Sequence, residues 1–162
     1  MRIAAGLLIM LVCAVCGFRG SILLKRRCGL ISELRLLVEH YAIEISCTAP
    51  TLSELAKQGH GEFGEILRSC AEEEPDIRQA WRSAVSRLSE LSYCGKEEAE
   101  LMSELGRELG TCPAEGQLSL FKLYSARLDR LYQQAEKTFE QKGRLYRSGG
   151  VLAGLCAAVL LL

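Results

Sequence analysis

The sequence predicts an all-α fold: a helical bundle of about six helices, flanked by an N-terminal and a short C-terminal transmembrane helix. Three observations carry this. Ala, Leu, Glu and Arg, all good helix formers, are abundant, and the only prolines are Pro50, Pro75 and Pro113. Apolar residues recur at steps of three and four along most of the chain. The two ends, residues 3–18 and 148–162, contain no charged residue, whereas the stretch between them holds nearly all the Lys, Arg, Asp and Glu. A chain of 162 residues fits one domain between its anchors.

The first apolar stretch, IAAGLLIMLVCAVCGF, is about 24 Å long as a helix, against a hydrocarbon core of roughly 30 Å. Residues 20–24 are small or apolar again after Arg19, whose side chain can snorkel toward the interface, so the span can extend there. The second stretch, SGGVLAGLCAAVLLL, is about 22 Å long and has no polar residue after Val151. Thinning of the bilayer or tilt accommodates a short span at modest cost. Basic residues set the orientation. Arg2 alone precedes the first span, Arg19, Lys25, Arg26 and Arg27 follow it, and Lys137, Lys142, Arg144 and Arg147 precede the second. Both clusters belong to the connecting segment, which the positive-inside rule places in the cytoplasm, with both termini outside. The expected organisation is residues 1–24 as the N-terminal span and flank, 25–147 as a cytosolic helical bundle, and 148–162 as the second span. A cleaved signal peptide is the rival reading of the N-terminus, permitted by the small residues around Ala14. The basic residues that follow oppose translocation, and Val precedes both Cys13 and Cys16 where a lipobox needs a small residue.

Within the middle, the first helix is expected over residues 28–46, with Leu30, Leu34, Leu37, Val38, Tyr41 and Ile45 on one face and an interruption near Gly20 or Gly29. Thr51 with Glu54 three residues later forms a capping box that opens a short helix with Leu52 and Leu55 inward, ended by Gly59-His60-Gly61. A helix over 62–73 follows, edged by Phe63, Ile66, Leu67 and Cys70. Pro75 and Asp76 start the next, over 76–91, whose stripe is Ile77, Ala80, Trp81, Ala84, Val85 and Leu88. Residues 96–109 form a fifth helix with Ala99, Leu101, Met102, Leu105 and Leu109 inward, stopped by Gly110. The last runs from 114 to about 146 through Leu118, Phe121, Tyr124, Leu128, Leu131, Tyr132, Ala135 and Phe139, with Gly149-Gly150 as a joint before the second span.

A search for chemistry assigns no catalytic, cofactor-binding or metal-binding residue. His40 and His60 have no ligand spacing, and His40 with Glu44 supplies two groups where zinc needs more. The acidic run 72–76 suits a helix start better than a cation. Of the eight cysteines, Cys13, Cys16 and Cys156 fall in the expected spans, and the other five, at positions 28, 47, 70, 94 and 112, fall singly and read as buried hydrophobes or free thiols in a cytosolic setting. The Cys13-Cys16 pair has a CxxC spacing, but apolar residues fill it inside a span. Gly106 and Gly110 form a GxxxG whose amphipathic setting suits close helix contact and a helix stop. There is no Walker loop, dinucleotide fingerprint or nucleophile elbow. A net charge of zero argues against a nucleic-acid partner.

The order of several features resembles one family. An N-terminal span with a basic patch leads to LVEHYAIEI at residues 37–45, then Pro50 and the Leu-Ser-Glu-Leu run at 52–55. Ala80-Trp81, Leu105-Gly106, Leu109-Gly110, Gln117 at the head of a long charged helix, and an apolar tail follow. In that order they resemble the stage III sporulation protein AB family. Two departures stand out: Thr-Cys-Pro after Gly110, where a more acidic segment is expected, and a short tail. The resemblance implies a helical domain similar to the inner-membrane platform protein of type II secretion and type IV pilus systems. It implies a role in the mother-cell membrane around the forespore, as a non-enzymatic scaffold in a secretion-like channel. The implied partners are the sister proteins of the stage III sporulation A operon, including its secretion-type ATPase, together with membrane lipids and no small-molecule substrate. The alternatives are a two-span platform protein of a secretion or pilus system outside sporulation, and a small membrane-tethered thiol protein.

Overall fold

The computed structural model describes residues 2–48, 50–111 and 113–161, with side chains described except at 2–11, 13, 14, 16, 17, 48, 114 and 144–161. Among the described residues there are six helices and no strand: α1 Arg2–Thr48, α2 Leu52–Lys57, α3 Gly61–Glu73, α4 Ile77–Ser89, α5 Lys96–Glu108 and α6 Ala114–Leu161. The all-helical expectation stands. The expectation of separate helices for the apolar ends does not. No break occurs at Gly20 or Gly29, and α6 runs through Gly149 and Gly150. An isolated Gly costs a helix only about 1 kcal/mol relative to Ala, which helices of 47 and 48 residues absorb. Among the described residues, no helix is long and apolar enough to cross a membrane. The two apolar stretches on which the spans were expected have side chains that lie mostly outside the described residues.

The chain divides into two compact units, one of residues 1–28 with 134–162 and the other of residues 29–133. In the first, Ser21 and Ala135 are buried, and a Cβ added at Gly143 would meet the Phe139 ring at 3.4 Å and Ser21 Oγ at 3.7 Å. Val12, Val15, Phe18, Ile22 and Leu23 are exposed there. Burial raises the Cys28 thiol above its ordinary pKa, and the nearby Glu136 carboxylate adds to the shift.

The second unit holds the main core. Its α1 segment buries Leu30, Ile31, Leu34, Leu37, Val38, Tyr41, Ala42 and Ile45, the expected face widened by Ile31 and Ala42. The α6 segment answers with Leu120, Phe121, Tyr124 and Leu128, and the Tyr41 and Phe121 rings meet edge to face with centroids 5.9 Å apart. Helix α4 packs against α2, α3 and α5, which explains why its apolar stripe is wide for its length. Leu52, Ile66, Ile77, Ala99 and Leu101 are half-buried, while Glu98 on α5 is fully buried.

The caps are partly local. Thr51 Oγ1 accepts from the Glu54 N–H at 3.3 Å, and Glu54 Oε2 accepts from the Thr51 N–H at 2.8 Å, which completes the capping box. Asp76 Oδ1 accepts from the Arg78 N–H at 3.0 Å and opens α4. Helix α3 is different. Its N-cap, His60, makes no side-chain cap bond, and Glu33 of α1 accepts from the Glu62 N–H at 2.9 Å. One of the orphan donors of α3 is therefore satisfied by a carboxylate from another helix, at the end where the dipole favours negative charge.

Candidate functional site

Helices α3, α4 and α5 owe their arrangement to one junction. Trp81 is buried, donates from Nε1 to the Met102 carbonyl at 2.8 Å, and meets Phe63 edge to face at 5.2 Å between centroids. A Cβ added at Gly106 would lie 2.2 Å from Trp81 Cδ1, so α5 approaches the indole closely only because residue 106 has no side chain. Gly110, with φ +70°, ends the turn after α5 in a conformation that other residues adopt with strain. The GxxxG of the sequence thus serves close helix contact and a helix stop. The donor of Trp81 is satisfied inside the core, as a buried indole requires.

The acidic run is absorbed by local structure. Glu73 pairs with Arg87 at 2.7 Å, Glu74 accepts from Ser83 Oγ at 2.9 Å, and Asp76 is the cap already described. The two histidines, twenty positions apart in sequence, stand side by side with ring centroids 6.0 Å apart and edge to face. They line a recess of about 250 Å³ with Glu33, Leu36, Leu37 and Gly61. No sequence spacing signals that pairing, because the α2 loop closes it. Among the described residues, no group of three or more His, Cys, Asp and Glu can hold a metal ion.

The larger surface feature is a groove of about 630 Å³ between the α1 and α6 segments of the second unit. Small and apolar residues, Ala42, Ile43, Leu118 and Ala126 among them, line it, with Glu39 and Lys122 at its sides. Arg35 crosses it to Asp129 at 2.7 Å, with the guanidinium 5.4 Å from the centroid of Tyr132. That ion pair is partly exposed, so it contributes about 0–1 kcal/mol and mainly fixes the position of the two side chains. Ile43 in the groove, Leu36 in the histidine recess and Leu123 of α6 remain about half exposed.

The titrating groups follow burial. Tyr41 is enclosed, and desolvation drives its phenol far above its ordinary pKa, opposed only by Arg68. Tyr124 is raised by burial and then by Glu108, whose carboxylate accepts its hydroxyl at 3.2 Å. Burial also raises Cys70. A thiol pushed upward is less nucleophilic at neutral pH, which suits a packing residue. Of the described cysteines Cys28, Cys47, Cys70 and Cys94, only Cys47 is exposed, and the Cys94 thiol donates to the Gly95 carbonyl at 3.5 Å. The side chains of Cys13, Cys16, Cys112 and Cys156 lie outside the described residues, and with them the CxxC.

A family model described as stage III sporulation protein AB matches residues 2–162. The chain belongs to that family. The resemblance drawn from the order of sequence features is therefore correct, and stage III sporulation protein AB membership implies a role in sporulation. Comparison with curated proteins found no match, and comparison with solved structures found none either. For a stage III sporulation protein AB chain, then, the surface itself is the guide to the site. Its open features are the α1–α6 groove and the histidine recess, both bordered by exposed apolar residues of α1.

Proposed function

We propose that this chain is a non-enzymatic, membrane-anchored scaffold in a secretion-like channel complex between mother cell and forespore, and that its second unit presents binding surfaces to partner proteins in the mother-cell cytosol. The observation that carries this reading is the contrast between interior and surface. The singled-out residues Trp81, Glu73, Glu74, Asp76, Gly106 and Gly110 all serve packing, capping or pairing, whereas the α1–α6 groove stays open, with Ala42, Ile43, Leu118 and Ala126 set among charged and hydroxyl side chains. An open groove that mixes apolar side chains with paired charges suits the amphipathic surface of a protein segment.

Anchoring is supported by sequence and exposure together. The stretches 3–18 and 148–162 are uncharged, each borders a basic cluster, and Val12, Val15, Phe18, Ile22 and Leu23 are exposed on α1. Because α1 is unbroken, residues 20–24 can lengthen the first span, with Arg19 snorkelling. Lys25, Arg26 and Arg27 would then meet anionic head groups, worth about 1 kcal/mol each near the surface. The family supports the sporulation setting, and the resemblance supports as partners the sister proteins of the stage III sporulation A operon and its secretion-type ATPase.

Co-purification tests the reading. The full-length tagged chain, extracted from membranes of sporulating cells, is expected to retrieve the sister proteins and the ATPase. Retrieval of none of them, or recovery of the chain outside the membrane fraction, removes the scaffold or the anchor respectively.

A further inference from the structure

The second unit leaves part of α1 unused. Leu36 and Ile43 are 55 % and 54 % exposed, while Leu34, Leu37, Val38 and Ile45 on the same helix are at most 7 % exposed. The fold is satisfied without the first two. They stand seven residues apart, and Cys47, also exposed, follows Ile43 by four. With His40 between them, the positions step by four, three and four, the pattern of a helix seam that faces another helix. The same seven-residue interval separates Val15 and Ile22 upstream in the sequence. Lipid explains the upstream pair under the anchoring reading. It does not explain Leu36 and Ile43, which follow the basic cluster that the same reading sets at the head groups.

We propose that this outer face of α1 is the seam along which two copies of the chain pair. Two features select a second copy as the occupant. First, the patch carries both protrusions and recesses. Ile43, 54 % exposed, projects from the wall of the groove of about 630 Å³, and Leu36, 55 % exposed, from the wall of the recess of about 250 Å³. An isologous two-fold interface uses one patch on both partners, so it needs a surface that complements itself in this way. Second, the groove is balanced in charge: Arg35 and Lys122 are matched by Asp129 and Glu39. Glu39 of one copy finds Lys122 of the other, whereas a strongly acidic or basic partner finds no excess to recognise. The relative orientation rests on the anchoring reading. Two α1 helices rooted in one membrane run parallel, which brings Cys47 of one copy to Cys47 of the other.

The native thiol makes the test direct. Membranes holding the full chain are oxidised with copper-phenanthroline, so that two Cys47 thiols give up two protons and two electrons to the reagent and form one disulfide. The expected product has twice the mass of the chain, is reversed by dithiothreitol and is lost in Cys47→Ser. Ile43→Glu and Leu36→Glu should each lower its yield about ten-fold or more, because a carboxylate is buried unpaired at the seam. Thermal melts of both variants, taken at dilutions where the parent is monomeric, should match the parent. Where glutamate disturbs a melt, Ile43→Ser or Leu36→Ser replaces it in the same assay. Absence of the doubled species while Cys47 still reacts with maleimide overturns the pairing. Equal yield in the seam variants, or Cys47 adducts of some other mass, does the same, the last pointing to a different protein on this face. Membrane fractionation of the same sample reads the anchor independently: a membrane-bound monomer removes the seam alone, and a dimer outside the membrane removes the anchor alone.

Discussion

Leu34 and Leu36 are two residues apart on α1 and meet opposite surroundings: the first has no exposure, and the second keeps 55 %. The inner face of the helix, from Leu30 to Ile45, is closed by α6 and the short helices, with Tyr41 against Phe121 at its centre. On the outer face, among Glu33, Arg35 and Glu39, Leu36 and Ile43 keep more than half of their surface exposed, although they are of the same types as the buried leucines and isoleucines. Residue type alone does not distinguish these two side chains from their buried neighbours. What separates them is the presence of a packing partner inside the chain. Apolar residues on the first face therefore hold the fold together, and those on the second are available to something outside it.

The comparison breaks most readily at the inner junction. Trp81→Ala should destabilise the full chain by about 3–5 kcal/mol, because a large buried ring and its hydrogen bond to Met102 are lost together. Circular dichroism melts read this without relying on tryptophan emission. A parent-like melt would mean that the junction of α3, α4 and α5 is not the core of this unit. Next in size is Gly106→Ala. Its Cβ would lie 2.2 Å from the indole, and overpacking of this kind costs about 1–3 kcal/mol. Elsewhere in a helix the same exchange stabilises, so the sign of the shift tests the close approach. A melting temperature above the parent's would place the indole away from residue 106.

These sites also show what sequence patterns can convey. The capping box is legible because its partners are three residues apart, and so is the GxxxG, whose glycines mark a contact and a stop. The stripe of α4 is legible because helix periodicity repeats over thirteen residues. The cap of α3 is not: Glu33 lies 29 residues before the amide that it serves, and no local pattern links them. The His40–His60 contact is hidden for the same reason. Helix continuity is hidden for another. Gly20, Gly29 and the Gly149-Gly150 pair read as breaks by propensity, but each glycine costs a helix only about 1 kcal/mol, and no Pro accompanies them. Glu98 was concealed by its charge, which suggested solvent at a position that the packing of α5 encloses.

The two caps sharpen the contrast between local and tertiary control. Thr51→Ala should cost about 1 kcal/mol, the usual loss for an N-cap side chain. Glu33→Ala removes the carboxylate from the start of α3 and should cost a similar amount, about 0.5–2 kcal/mol, although sequence alone would class it as a surface change. The pH dependence separates the capping box from ordinary surface charge. The Thr51 N–H, and then its hydroxyl, hold the Glu54 carboxyl below its ordinary value. A depressed folded value means that the stabilisation is complete above the unfolded pKa and fades as pH falls through the folded one. The gap between parent and Thr51→Ala should therefore be widest near neutrality and narrow in acid. A gap that does not change with pH would mean that the Thr51 hydroxyl does not bond the Glu54 carboxylate.

The smallest expected effect is the one that bears on function. Ile43→Ser removes a large apolar side chain, as Trp81→Ala does, but from the outer face. More than half of that side chain's surface is already in water, so little transfer energy is lost, and no cavity forms inside the unit. At dilutions where the chain is monomeric, its melt should stay within about 0.5 kcal/mol of the parent, the range of surface substitutions. If it falls by 2 kcal/mol or more, Ile43 belongs to the core, and the division of α1 into a folding face and a binding face is wrong. If the melt is unchanged while sporulation fails in cells carrying the variant, the loss lies in what the face contacts. That outcome pairs a residue the fold can spare with one the assembly cannot, which is the signature of a helix that packs inward on one side and binds outward on the other.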